Sequence, residues 1–105
     1  MQNDDCLFCK ISRGEIPSKK IYEDEEVFAF HDINPKRHIT SLAEVSPEDG
    51  QLLGKMLVLA KKLALEQGCG NGFRIVINTG RDGGQEVPHL HIHVLGGPQP
   101  WKRRS

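Results

Sequence analysis

Residues 89 to 97 read "HLHIHVLGG", with histidine at positions 89, 91 and 93 and Leu90, Ile92 and Val94 between and after them. In a strand successive side chains face opposite sides. His89, His91 and His93 would then share one face of one strand and the apolar residues would fill the other. Three of the chain's five histidines sit in this run. A lone strand histidine is usually a structural residue, but three in strict alternation after a glycine-rich loop call for chemistry. Two chemistries suit them. Alternate histidines can chelate zinc, and a neutral imidazole is a competent nucleophile near neutral pH.

Outward from this run, the 105 residues suffice for one domain over 1–105. The 14 basic and 14 acidic side chains balance, which gives no basic excess for coating nucleic acid. Residues 102–104, Lys-Arg-Arg, are the only basic run and read as solvated tail. No apolar stretch reaches membrane-spanning length, and the acidic N-terminus lacks a signal-peptide core. Partners among nucleic acids or membranes are therefore not expected, and the expected location is the cytoplasm.

The remaining segments predict an α+β fold. "CLFCKISR", 6–13, is a short helical turn stopped by Gly14. Lys20-Ile21-Tyr22 and Glu26–Phe30 predict an antiparallel hairpin around an acidic turn. Ser46-Pro47-Glu48-Asp49 is a helix start, and Leu52, Leu53, Met56, Leu57, Ala60, Leu63 and Ala64 recur at helical spacing. Gly68 and Gly70 end that helix, and "FRIVIN", 73–78, is a strand. "TGRDGGQ", 79–85, leads into the histidine strand. The result is an antiparallel sheet with one long helix packed across it.

The run His-φ-His-φ-His-φ-φ, with φ apolar, resembles the signature of the histidine triad superfamily. "CLFCKISRGEIPSKKIYEDEEVFAFHDINP" and "FRIVINTGRDGGQEV" resemble the Hint branch of it, as do Gly96-Gly97 and Trp101. The resemblance covers nearly the whole chain. It implies a nucleotide hydrolase or transferase that cleaves purine nucleoside phosphoramidates, and a homodimer whose sheets join across the twofold. It implies His91 as nucleophile, forming a nucleotidyl-histidine, within a catalytic set of His89, His91, His93 and Glu86. His93 would hold phosphate oxygens. Asn78 and Gln85 would contact phosphate or ribose, and Asp32 the ribose hydroxyls. Phe8, Ile11, Ile21 and Ile33 would wall the base pocket, although each singly reads equally well as core. Glu86 departs from the Ser or Thr of many relatives and would act as a general acid. The bound partner would be AMP, GMP or their phosphoramidates.

Cys6-x-x-Cys9 in a reducing compartment reads as metal or redox chemistry before it reads as a disulfide. The resemblance supplies two further zinc ligands, His38 in "KRHI" and His89. Zinc held by Cys6, Cys9, His38 and His89 would support the fold, and catalysis needs no cofactor. Cys69 reads as packing.

"DINPKRHI" is shorter than its counterpart in relatives. They carry a further strand there, reading like "x-A-P-x-H-x-L-x-x-P-K", with another active-site histidine. Losing a whole strand would strip cover from the helix stripe at Leu53, Leu57 and Ala60. The expectation is therefore a chain break between Asn34 and His38, not a true deletion. Two alternatives stand beside the phosphoramidase: a dinucleoside polyphosphate hydrolase of the Fhit type, and a nucleotide- or partner-binding scaffold of low turnover, which a true deletion would favour.

Overall fold

The computed structural model describes residues 6–17, 19–30 and 32–96. His31, Gly97, Trp101 and the basic run 102–104 lie outside the described residues. Helix α1, Leu7–Ser12, starts after Cys6 and buries Phe8, Cys9 and Ile11. Gly14 follows with φ +81°, the left-handed conformation in which glycine commonly stops a helix. Strands β1, Tyr22–Glu23, and β2, Val27–Ala29, form the predicted antiparallel hairpin. Asp24 closes its turn, its Oδ1 accepting from the backbone N–H groups of Glu26 and Val27 at 2.8 and 2.9 Å.

Strand β3, Ile33–Pro35, pairs antiparallel with β2. Here the expected chain break is corrected: the backbone runs through Asn34 to His38 without interruption, and Lys36 N–H donates to the Glu26 carbonyl at 2.7 Å. The described strands form two sheets. One sheet has the order β1-β2-β3; the other pairs β4, Phe73–Val76, with β5, His93–Gly96. Between them Ile33 and Ile92 exchange two backbone hydrogen bonds of 3.0 and 2.9 Å.

Ser46 caps a 3₁₀ turn over Pro47–Asp49, with Asp49 returning to the Ser46 N–H as a capping box. Helix α2, Gly50–Glu66, continues from it. Its buried stripe is Met56, Leu59, Ala60, Leu63 and Ala64. Leu57, expected in that stripe, is 49% exposed, and Leu59 is buried instead. The line through Met56, Ala60 and Leu63 is the one over the sheet. Leu57 stands beyond the stripe's open margin, two residues and about 200° of helical rotation from Leu59.

The first sheet is covered on both sides. Val27, Ala29 and Ile33 pack with Ile92 against α2, whereas Phe28 turns to Cys6, Phe8, Cys9 and Ile11 of the α1 side. Two small cores therefore flank one short sheet. No helix among the described residues is long and apolar enough to cross a membrane.

Candidate functional site

The histidine run keeps its alternation but not its regular strand. Ladder pairing begins only at His93. Upstream, Leu90 N–H donates to the Ile39 carbonyl at 2.6 Å, and Ile92 pairs with Ile33. The neighbouring segment jumps from Ile33 to Ile39 in these pairings, because β3 is too short to run beside all nine residues. Ile92 faces the α2 core, while the three histidines face the α1 side.

His89 is fully buried. Its Nε2 lies 2.8 Å from the Pro35 carbonyl. A carbonyl only accepts, so Nε2 carries the proton and Nδ1 a lone pair. That lone pair accepts from the Cys6 thiol at 3.1 Å, with the Cys9 sulfur at 3.6 Å. His38 presents its own Nδ1 to Cys9 Sγ at 3.6 Å and its Nε2 to Thr40 Oγ1 at 3.3 Å. The four ligand atoms of Cys6, Cys9, His38 and His89 lie within 4.8 Å of one another. Sulfur and nitrogen bound to one tetrahedral zinc would stand roughly 3.5 Å apart. Each imidazole also offers its second nitrogen to an oxygen, the usual support of a metal-bound histidine. Burial foremost, with the neighbouring histidines, lowers the His89 pKa to about 4 against the Pro35 hydrogen bond, so the ring is neutral at physiological pH. The expected four residues thus converge and fit a zinc ion.

His91 lies beyond, nearly buried, with the edge of the Phe8 ring at 5.2 Å between centroids. Its Nδ1 lies 2.6 Å from the His89 carbonyl. Nδ1 therefore holds the proton, and Nε2 is left with a free lone pair. His93 packs edge-on against His91 at 4.9 Å, and its Nδ1 donates to Asp32 Oδ1 at 2.6 Å. Nitrogens of both rings and a carboxylate oxygen of Asp32 lie within 4.8 Å of one another.

The other expected residues distribute unevenly. Asn78 follows β4, and continuing the β4–β5 register places it opposite His91. Gln85 is engaged within its own loop. Its Oε1 accepts from Gly80 N–H at 2.9 Å, and its Nε2 donates to the carbonyls of Thr40 and Val87 at 2.7 and 3.0 Å. These bonds staple the loop 79–85 against Thr40. Gly83 makes that loop possible, since a Cβ there would collide with the Thr79 backbone. Glu86 is exposed, and among the described residues no hydrogen bond ties it to the histidines.

The apolar wall divides. Phe8 and Ile11 pack in the closed α1 core. Ile21 and Ile33 lie elsewhere. With Phe30, Asp32, Leu63 and Val94 they line a cavity of about 110 Å³. The cause is β3: Ile33 and Asn34 face opposite sides of the sheet, and Ile33 takes the α2 side. Sequence reasoning missed Phe30, whose ring meets Phe8 edge-on at 5.4 Å and also lines the cavity. It missed Asn34, fully buried, its side-chain N–H donating to the Asp32 carbonyl at 2.9 Å. The signals were present, in the alternation of "VFAF" and in a polar residue between Ile33 and Pro35.

A family model described as the HIT domain matches residues 13–99. The chain is 48% identical to protein HitA of Neisseria gonorrhoeae, over 90% of this chain and 98% of that protein. That comparison spans 105 positions but only 90% of this chain, so some positions of HitA have no counterpart here. The 14 kDa zinc-binding protein of Zea mays is 43% identical over 89% of this chain and 82% of its own. The crystal structure of a HIT family hydrolase from Legionella pneumophila superposes with a TM-score of 0.88 at 43% identity, covering 90% of this chain and 95% of the other. With its triad, its fold and these relatives in agreement, the chain belongs to the HIT domain family.

Proposed function

We propose that the protein is a nucleotide hydrolase that cleaves purine nucleoside 5′-phosphoramidates through a covalent intermediate on His91. One observation carries the reading: the His91 Nδ1 proton is fixed on the His89 carbonyl at 2.6 Å, which frees Nε2 as a nucleophile. In the first step Nε2 attacks the α-phosphorus. An N–P bond forms, the P–N bond to the amine breaks, and the amine leaves with a proton, for which Glu86 is the candidate donor. In the second step water attacks phosphorus, the His91–phosphorus bond breaks, and the nucleoside monophosphate is released. His93 and Asn78 hold the phosphate oxygens. Asp32 receives the ribose hydroxyls, and the cavity beside it, walled by Ile21 and Ile33, is the room available to the base.

Zinc on Cys6, Cys9, His38 and His89 is proposed as a structural ion, in keeping with the donor set and with the name of the maize relative. When bound it would cross-link α1 to the histidine run. All the steps above use the chain's own side chains. A homodimer is proposed on β4, an edge strand among the described residues, whose Phe73 and Ile75 are more than one-third exposed. Pairing such an edge across a twofold covers it, and a sedimentation mass of one chain would contradict it.

A second reading is favoured by the divided sheet. The strand that carries a further histidine in relatives is absent, and a nucleotide-binding scaffold with little turnover has the same pocket. Incubation with adenosine 5′-phosphoramidate and, separately, a diadenosine polyphosphate distinguishes the cases. Release of AMP from the phosphoramidate supports the proposal, and cleavage of the polyphosphate alone supports the Fhit-type alternative. Binding of AMP without turnover of either supports the scaffold.

A further inference from the structure

Asp32 stands where the two halves of the site meet. The residue lines the cavity with Ile21 and Ile33, and its Oδ1 accepts from His93 Nδ1 at 2.6 Å. The side chain is only 14% exposed. Its backbone carbonyl is fixed independently, accepting from Phe30 N–H at 3.2 Å and from the Asn34 side chain at 2.9 Å. The carboxylate is therefore held in place by the chain before any ligand arrives.

We propose that Asp32 is a positioning residue for His93, over and above any contact with a ribose; this rests on the phosphoramidase reading. The torsion that turns an imidazole ring is broad and weakly specified by itself. Phe8 and the His89 carbonyl confine His91, but His93 is half-exposed, and among the described residues Asp32 is its only hydrogen-bond acceptor. The Asp32 bond selects the tautomer with Nδ1 protonated and turns the ring so that Nε2 is the nitrogen left for the phosphate. A carboxylate has about four lone-pair sites, so those not used by His93 stay available to ribose hydroxyls. One side chain then links occupancy of the nucleoside cavity to the orientation of the phosphate-binding ring. Misplacement of a positioning group by about 1 Å can cost on the order of a hundredfold in rate.

The test uses a substrate with nothing for Asp32 to bind on the sugar. Turnover of adenosine 5′-phosphoramidate and of its 2′,3′-dideoxy analogue is measured for the wild type, Asp32→Ala, Asp32→Asn, His93→Ala and the Asp32→Ala/His93→Ala pair. The expected result is a roughly tenfold or larger loss of kcat for Asp32→Ala on the dideoxy analogue as well. Asp32→Asn, which keeps an acceptor oxygen, should recover most of it, and the double variant should be no worse than His93→Ala. An Asp32→Ala effect confined to KM for the hydroxyl-bearing substrate would overturn the inference. If the wild type cleaves neither compound, the phosphoramidase reading fails. The positioning role is then decided by ¹⁵N NMR of His93. A proton fixed on Nδ1 in the wild type and lost to a tautomer mixture in Asp32→Ala supports it, and an unchanged ring overturns it.

Discussion

His89 and His91 are two residues apart and meet opposite fates. At His89 both ring nitrogens are spent inside the protein, Nε2 on the Pro35 carbonyl and Nδ1 on the Cys6 thiol. At His91 only Nδ1 is spent, on the His89 carbonyl, and among the described residues Nε2 has no hydrogen-bond partner. Both rings belong to the same short run. What separates the proposed zinc ligand from the proposed nucleophile is the second nitrogen: it meets two thiols in one case and has no hydrogen-bond partner among the described residues in the other. The α1 side also differs along its length, closed around the sulfurs and half-open at His93.

The largest expected effect breaks the comparison at its open end. His91→Ala should lower phosphoramidate turnover by on the order of a thousandfold or more while AMP binding stays measurable by calorimetry. His89→Ala should instead act first on stability and metal content. Near-normal activity in His91→Ala would remove the nucleophile assignment and leave two structural histidines in place of two roles.

The closed end is tested by removing its metal. Folding and zinc binding are linked: zinc at about a thousand times its Kd adds about 4 kcal/mol to the folded state. Cys9→Ser, or chelation of the wild-type protein, should lower the thermal midpoint by many degrees and abolish stoichiometric zinc in elemental analysis. The bond pattern at His91 should persist in what stays folded. An unchanged midpoint together with absent zinc in the wild type would make the cluster a plain thiol–imidazole packing unit.

How much of this was legible in the sequence follows the same division. The four candidate metal ligands, the candidate nucleophile and the long helix could each be read from local pattern or resemblance, because each depends on spacing within a short segment. What could not be read is the arrangement that β3 imposes. The chain was expected to be broken between Asn34 and His38, yet it is continuous, and Ile33–Pro35 before it pairs with β2 and contacts Ile92. That register sends Ile33 to the α2 core and separates it from Phe8 and Ile11. Such a choice depends on which face a strand residue takes, and a one-residue slip reverses it. Leu57 was misassigned for a related reason: periodicity defines a stripe's width but not its margin.

Ile33 is consequently the residue on which the joining of the two sheets is tested. It is 2% exposed and supplies both hydrogen bonds to Ile92 from its backbone. Ile33→Ala should cost about 2–5 kcal/mol, the range for emptying a well-packed site. Leu57→Ala, on an exposed margin of the helix, should cost a small fraction of that in the same urea titration. Equal costs would mean that α2 is seated with Leu57 inward, as periodicity alone suggested.

The smallest effect concerns the hairpin turn, far from the histidines, and it sets a baseline for pH. Burial would raise the Asp24 pKa, but hydrogen bonds from Tyr22, Lys55 and the N–H groups of Glu26 and Val27 together hold it well below the usual carboxylate range. Its partner Lys55, 2.9 Å away, is held more firmly protonated, by Asp24 first and Glu26 second. A carboxyl whose folded pKa is depressed stabilises the fold above its unfolded pKa of about 3.9, and that contribution is lost as pH falls below it. Both partners are partly exposed, and solvent screening limits the expected effect to roughly 1 kcal/mol. Asp24→Asn should therefore flatten the fall in urea midpoint between about pH 5 and pH 3. Zinc-loaded and zinc-free protein should show the same flattening, because Asp24 faces Tyr22, Lys55 and Glu26 and none of the proposed ligands. A flattening that appears only with zinc present would place the acid-sensitive contact at the thiol–imidazole cluster instead, and would join the two regions that the histidine run holds apart.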